Sequence, residues 1–176
     1  VYTSCERPYE NEGVTMPSVN DYENKGIIEL GILSILDVDP ALEAFKALCR
    51  GFVAVMPIDL YPYLEVMITD WEPIARTTGN RVRKEYTGQI RLWQRQTDTP
   101  NPTPESRIIT VPSYDFVQKL ADSVETILSR PVNRNLQGLV LSEPPGAVET
   151  FTITTAAYGL DNRINTIDNG AILNFS

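Results

Sequence analysis

Carboxylates are the groups numerous enough in this chain to do chemistry, and Asp59, Glu65, Asp70, Glu72 and Glu85 lie in or beside one pair of apolar-rich runs. A Pro57-x-Asp59 start followed by further acids is the kind of pattern that hydrolysis of phosphodiesters by Mg²⁺ uses, with carboxylates and a lysine grouped around the ion. That chemistry wants an acidic residue two positions before the lysine on the following strand, and the residue two before Lys84 is Val82. Surface carboxylates are the plainer reading of all five. A second option is binding of single-stranded nucleic acid, with Trp93 stacking on a base between the cations of Arg91 and Arg95. An aromatic at that alternation more often packs on a sheet face or fills an interface.

Other chemistries lack their residues. The chain has no histidine, which excludes imidazole acid–base catalysis, Ser-His-Asp triads and histidine-containing zinc sites. Cys5 and Cys49 are too few for a disulfide framework, and neither has a partner at metal-ligand spacing. A reducing compartment and no cofactor are expected. Neither a phosphate-cradling glycine loop nor a Gly-x-Ser-x-Gly elbow is present. The apolar stretches 27–36 and 51–58 fall short of a membrane span, and no signal-peptide pattern is seen.

The net charge of −8 argues against a general nucleic-acid coat, but the charge is uneven. Residues 1–50 are acidic, whereas Arg76, Arg81, Arg83, Lys84, Arg91 and Arg95 face only Glu72 and Glu85 in the central region. An acidic body with one basic element can meet an acidic neighbour, including another copy of itself.

The positioning element is that central region. Tyr63 to Trp71 and Val82 to Trp93 alternate as strands, with Leu64, Val66 and Ile68 on one side and Tyr86, Ile90 and Leu92 likewise. They predict a β-hairpin with a long loop holding Pro73 and Thr78-Gly79-Asn80. Before it, residues 1–25 read as an extended arm, and residues 26–176 as one domain. A first helix is expected from Gly26, burying Ile28, Ile32, Ile35 and Leu36. Asp39 and Pro40 should cap a second helix that buries Leu42, Phe45, Leu48 and Cys49 and stops at Gly51. The run 52–58 is an edge strand or connector, and the proline-rich stretch 97–112 a long excursion, with Ile108 to Val111 a brief strand at most.

Ser113 should cap an amphipathic helix that buries Phe116, Val117, Leu120, Ala121, Val124, Ile127 and Leu128, its other face in solvent. Short strands follow at 139–141 and 148–158, and Asn169-Gly170 predicts a turn between Ile164–Asp168 and Ala171–Phe175. The fold class is α+β: a mixed, mainly antiparallel sheet of about four strands with two or three helices on one face.

The order of these elements carries a resemblance. An N-terminal helix pair precedes Tyr61-Pro62-Tyr63-Leu64-Glu65-Val66-Met67-Ile68. A glycine-containing loop and Arg83-Lys84-Glu85-Tyr86-Thr87-Gly88-Gln89-Ile90-Arg91-Leu92-Trp93 follow, then an amphipathic helix and a late strand. Over roughly residues 26–160 this resembles the tail terminator and tail-completion (neck) proteins of tailed bacteriophages, through element order and hydrophobic pattern. The long N-terminal arm, the 97–112 stretch and the terminal hairpin depart from that pattern. The resemblance implies a structural virion protein and no enzyme. It would form a ring, a hexamer, that caps the tail tube, stops its growth and docks the neck or connector, and in contractile phages the last sheath ring. DNA would pass through the lumen without specific binding, and assembly would take place in the host cytoplasm. Arg76, Arg81, Arg83, Lys84, Arg91, Trp93 and Arg95 are the candidate subunit or partner contacts. The metal-dependent carboxylate enzyme and the nucleic-acid module remain the alternatives.

Overall fold

The computed structural model describes residues 19–77, 81–96, 111–142, 146–163 and 166–176. Two helices, α1 (Val19–Asp37) and α2 (Pro112–Leu128), cover one face of a five-stranded sheet. The strands are β1 (Ala47–Arg50), β2 (Tyr63–Thr77), β3 (Arg81–Arg95), β6 (Ile153–Arg163) and β7 (Thr166–Phe175), in the order β1-β2-β3-β7-β6. Only β1 against β2 is parallel, and β4 (Val140–Leu141) with β5 (Gly146–Ala147) makes a separate small ladder. The fold is thus α+β with a mainly antiparallel sheet, one strand larger than expected.

Alternation decides the core. Leu64, Val66 and Ile68 of β2, Ile90 and Leu92 of β3, and Ala171, Leu173 and Phe175 of β7 point to the helix side and are buried. Ile28, Ile32, Ile35 and Leu36 of α1 meet them, as do Val117, Leu120, Ala121, Val124, Ile127 and Leu128 of α2. Phe116, expected among the latter, is exposed. The helix starts two residues earlier than the Ser113 cap predicts: Val111 is the cap position, and Ser113 is buried, its hydroxyl accepting from Asn169 Nδ2 at 2.7 Å.

Several expectations are corrected. Residues 19–25, read as part of the arm, are the first turns of α1; residues 1–18 lie outside the described residues. Asp39 and Pro40 do start a helix, with Asp39 Oδ1 accepting the Ala41 N–H at 3.0 Å, but it is a single 3-10 turn, Pro40–Leu42. The chain then becomes β1, because Ala47–Arg50 can satisfy its backbone on the edge of β2, and sheet pairing overrides local helix preference. Gly51, expected as a helix stop, ends β1 at φ +83, a conformation that suits glycine. Cys49 therefore sits half-buried on a strand.

The predicted 164–168/171–175 hairpin is also overturned. β7 runs through Asn169 and Gly170 between β6 and β3, and its ladder with β6 extends to Arg163 opposite Thr166; residues 164–165 lie outside the described residues. Gly170 serves packing instead of a turn, because a Cβ there would lie 2.3 Å from Trp93 Cζ3. The expected excursion at 97–112 and strand at 108–111 fall almost wholly outside the described residues.

Two outcomes follow. Gly170→Ala should destabilise the fold by about 1–3 kcal/mol in denaturant unfolding, since the indole of Trp93 must shift to admit the methyl. Asp39 has its carboxyl held below the usual range by the Ala41 N–H, a lowering that slight burial opposes and the Arg130 guanidinium reinforces. Its ionised form is favoured in the folded state, so its contribution is full above the unfolded value near about pH 4 and is lost as pH falls through the lower folded value. The stability difference between wild type and Asp39→Asn should therefore shrink on acidification below about pH 4.

Candidate functional site

The β2–β3 ladder outlasts its neighbours. β1 pairs with β2 only from Tyr63 to Val66, and β7 pairs with β3 only from Gly88 to Arg95. Among the described residues, 69–77 and 81–87 pair only with each other and run on past the neighbouring strands as a two-stranded ribbon of about 30 Å, at roughly 3.3 Å per residue, with Tyr86 at its root still packed against the core. The expected long hairpin loop is thereby corrected: Pro73 sits within β2, opposite Lys84, and the ladder continues to Thr77 opposite Arg81. Register shifts at Ile68/Asp70 and Pro73/Ala75 mark β-bulges, which bend and twist the ribbon.

Charge is sorted along this ribbon. Near the body are Asp70, Glu72 and Glu85, the last two directly opposite each other; toward the far end come Lys84, Arg83, Arg81 and Arg76. Lys84 Nζ lies 4.6 Å from the centroid of the Trp71 ring, a cation–π contact across the ribbon. Arg83 Nη2 is 3.3 Å from Glu149 Oε2, but both side chains are more than half exposed, so the pair contributes little. Ile74 is an exposed aliphatic side chain between these cations.

The body-proximal candidates are placed differently. Trp93 is buried, with its Nε1–H donating to Glu65 Oε1 at 2.7 Å, so its ring is not presented to a base or a partner surface. Arg91 lies with its guanidinium 3.6 Å from the Phe52 ring centroid and donates through Nε and Nη2 to Gln89 Oε1. Gln89 Nε2 continues to Asn174, and Asn174 to Thr155, giving a polar line across β3, β7 and β6. Arg95 is half-buried opposite Asp168 in register. The seven candidates thus separate: Arg76, Arg81, Arg83 and Lys84 share the ribbon, while Arg91, Trp93 and Arg95 belong to the sheet face beneath the 51–62 connector.

That connector is pinned by carboxylates the sequence did not single out for this purpose. Glu65, read as a surface acid, is fully buried and accepts the Val53 N–H at 2.7 Å as well as the Trp93 indole. Asp168, fully buried, accepts the Tyr61 hydroxyl at 2.8 Å. On the helix side, Glu29 of α1 takes the Ile68 N–H at 2.8 Å and Arg50 Nε at 2.7 Å. An acid at an odd position between Tyr63 and Met67 was the available signal for Glu65; nothing local marks Glu29 or Asp168. The Cys49 thiol is pushed up first by burial and then by the charge of Glu65, which makes it a poor nucleophile at neutral pH.

The five carboxylates weighed as metal ligands do not converge. Asp59 is exposed on a separate 3-10 turn (Ile58–Leu60), Glu65 is committed to the connector, and Asp70 accepts the Trp71 N–H. Among the described residues no three Asp, Glu or Cys side chains come together so as to hold a metal ion. No described helix is long and apolar enough to cross a membrane. Compared with known protein families and with curated proteins, the chain matches none.

Replacing Glu65 by leucine removes the acceptor of the buried Trp93 indole and of the partly buried Val53 N–H, so unfolding free energy should fall by about 2–5 kcal/mol, with Glu65→Gln, which keeps an acceptor, costing less. A shift of Trp93 fluorescence in the folded Gln variant would report the altered indole bond. Equal stability of Glu65→Leu and wild type would show that the connector does not depend on this carboxylate.

Proposed function

We propose that this chain is a structural subunit of a phage tail neck, one that associates with copies of itself into a ring on the end of the tail tube. The observation that carries the reading is the projecting ribbon, whose far half is basic while the whole chain has a net charge of −8. A two-stranded ribbon is at best marginally stable alone in water, so it is an element that gains order from a surface supplied by something else. Its end is unlike the rest of the surface, which suits a head-to-tail contact; repeated contacts of that type close into a ring when the rotation permits. The element order that resembles tail terminators adds to this by analogy. In this role the subunit stops tube growth and offers a face to the neck or connector, and DNA passes without base-specific contact.

The nucleic-acid alternative is weakened by Trp93, whose ring is packed on Gly170 and hydrogen-bonded inward. The carboxylate-enzyme alternative is weakened by the dispersal of its acids.

Sedimentation velocity and negative-stain microscopy of the purified protein, alone and with tail tube protein, test the proposal. Rings, with six subunits expected, and tube ends that no longer elongate are the supporting result. Asp59→Ala and Asp70→Ala should leave assembly unchanged. A monomer under both conditions would overturn the reading.

A further inference from the structure

We infer that the socket for the ribbon is the open β6 edge of a second copy, where β6 runs beside α2. This rests on the ring reading above and names the surface through which it would act. Among the described residues β6 is an edge strand of the sheet, with no strand on its outer side, and from Thr154 to Leu160 it carries no proline and no charge. Edges of that kind are pairing templates unless something covers them.

The helix layer covers β6 only in part, α2 reaching it at Tyr158. Ala156, Tyr158 and Leu160 lie on the helix side of the sheet, opposite Leu173, Ala171 and Asn169 of β7, yet all three are exposed, Leu160 to 66 %. They form an apolar shelf continuous with the core layer. Its rim is acidic: Tyr158 Oη is 3.5 Å from Asp122 Oδ1 of α2, and Glu125 stands one turn further along the same helix, both carboxylates exposed. Tyr114, on the same side of α2, is exposed as well.

Charge selects the occupant. Pairing of two β6 edges about a two-fold axis would bring the Asp122 and Glu125 pairs of both copies together, which like-charge repulsion opposes. The ribbon is complementary instead: it is extended, of similar length to β6, bears exposed Ile74 for the shelf, and carries Arg81 and Arg83, two positions apart on β3, for the rim. Within one chain β7 lies between β3 and β6, and the ribbon continues β2 and β3 beyond the end of β7 at Phe175, where Arg83 meets Glu149 of the segment before β6 and not β6 itself. The contact is therefore between copies, and heterologous.

Two measurements test it. Asp122→Lys with Glu125→Lys, and separately Arg81→Glu with Arg83→Glu, should each reduce ring formation at least tenfold while far-ultraviolet circular dichroism and cooperative unfolding stay as in wild type. All four changes in one chain should restore rings. Under mild oxidation, a chain with Ile74→Cys mixed with a chain with Leu160→Cys should give a covalent dimer beyond the background of either chain alone. Rings that survive the Asp122/Glu125 reversal without the Ile74–Leu160 cross-link would overturn this socket and leave the ring reading standing. A cross-link of Ile74→Cys to Val38→Cys instead, in the groove between α1 and Leu139, would do the same. A wild-type chain that never associates, with or without tube protein, would overturn both.

Discussion

Glu29 accepts the Ile68 N–H at the place where β2 loses its parallel neighbour. β1 stops at Arg50, and Gly51 gives the last backbone bond of that edge, to the Val66 carbonyl. Beyond it the next inward-lying donor of β2 would be left buried and unpaired, a loss of about 1–3 kcal/mol. A side chain from α1 takes over where the strand ends, and its second oxygen holds Arg50, so one carboxylate joins helix, edge strand and ribbon root. The β-bulge follows at once, between Ile68 and Asp70, and from there the ribbon is held by its own ladder, by Tyr86 against the core and by the exposed Arg83–Glu149 pair. Everything that makes the ribbon project from a fixed direction depends on this joint.

The other face of the sheet is organised by the parallel step from β1 to β2. Two adjacent parallel strands require a crossing connection, and here it is the 51–62 segment, which has one short 3-10 turn and no full helix. Lacking a helix, it has little regular backbone bonding of its own and is tied down by side chains: Glu65 to Val53, Asp168 to Tyr61, and Phe52 under Arg91. The cost of burying these acids is offset by hydrogen bonds to each, the condition under which buried charge is tolerated. Polar residues thus give the connector one seat on a face that a purely apolar patch would not specify so narrowly.

The two faces and two edges of the sheet end up with different tasks. One face is the apolar core beneath α1 and α2; the other is divided between the connector and the polar line from Arg91 to Thr155. One edge is short and closed off by Arg50 and Glu29, while the other, β6, is long and neutral. Such asymmetry gives a subunit unlike ends, the property that head-to-tail assembly uses.

The α+β class, the central strand pair, the buried faces of α1 and α2 and the uneven charge were all legible in the residues, because each arises from periodicity or composition within a short window. Three features were not. Ala47–Arg50 has helix-compatible residues and became a strand since the edge of β2 was there to receive it. Asn169-Gly170 has the residues of a tight turn, but the glycine was taken up by the ring of Trp93, more than seventy positions earlier in the chain. Glu65 looks like a surface acid until Val53 and Trp93 close over it. Local pattern determines which backbone shapes are cheap; which of them is used, and which polar groups are drawn inside, is decided by partners distant in sequence, whose hydrogen bonds and packing exist only once the chain has closed on itself.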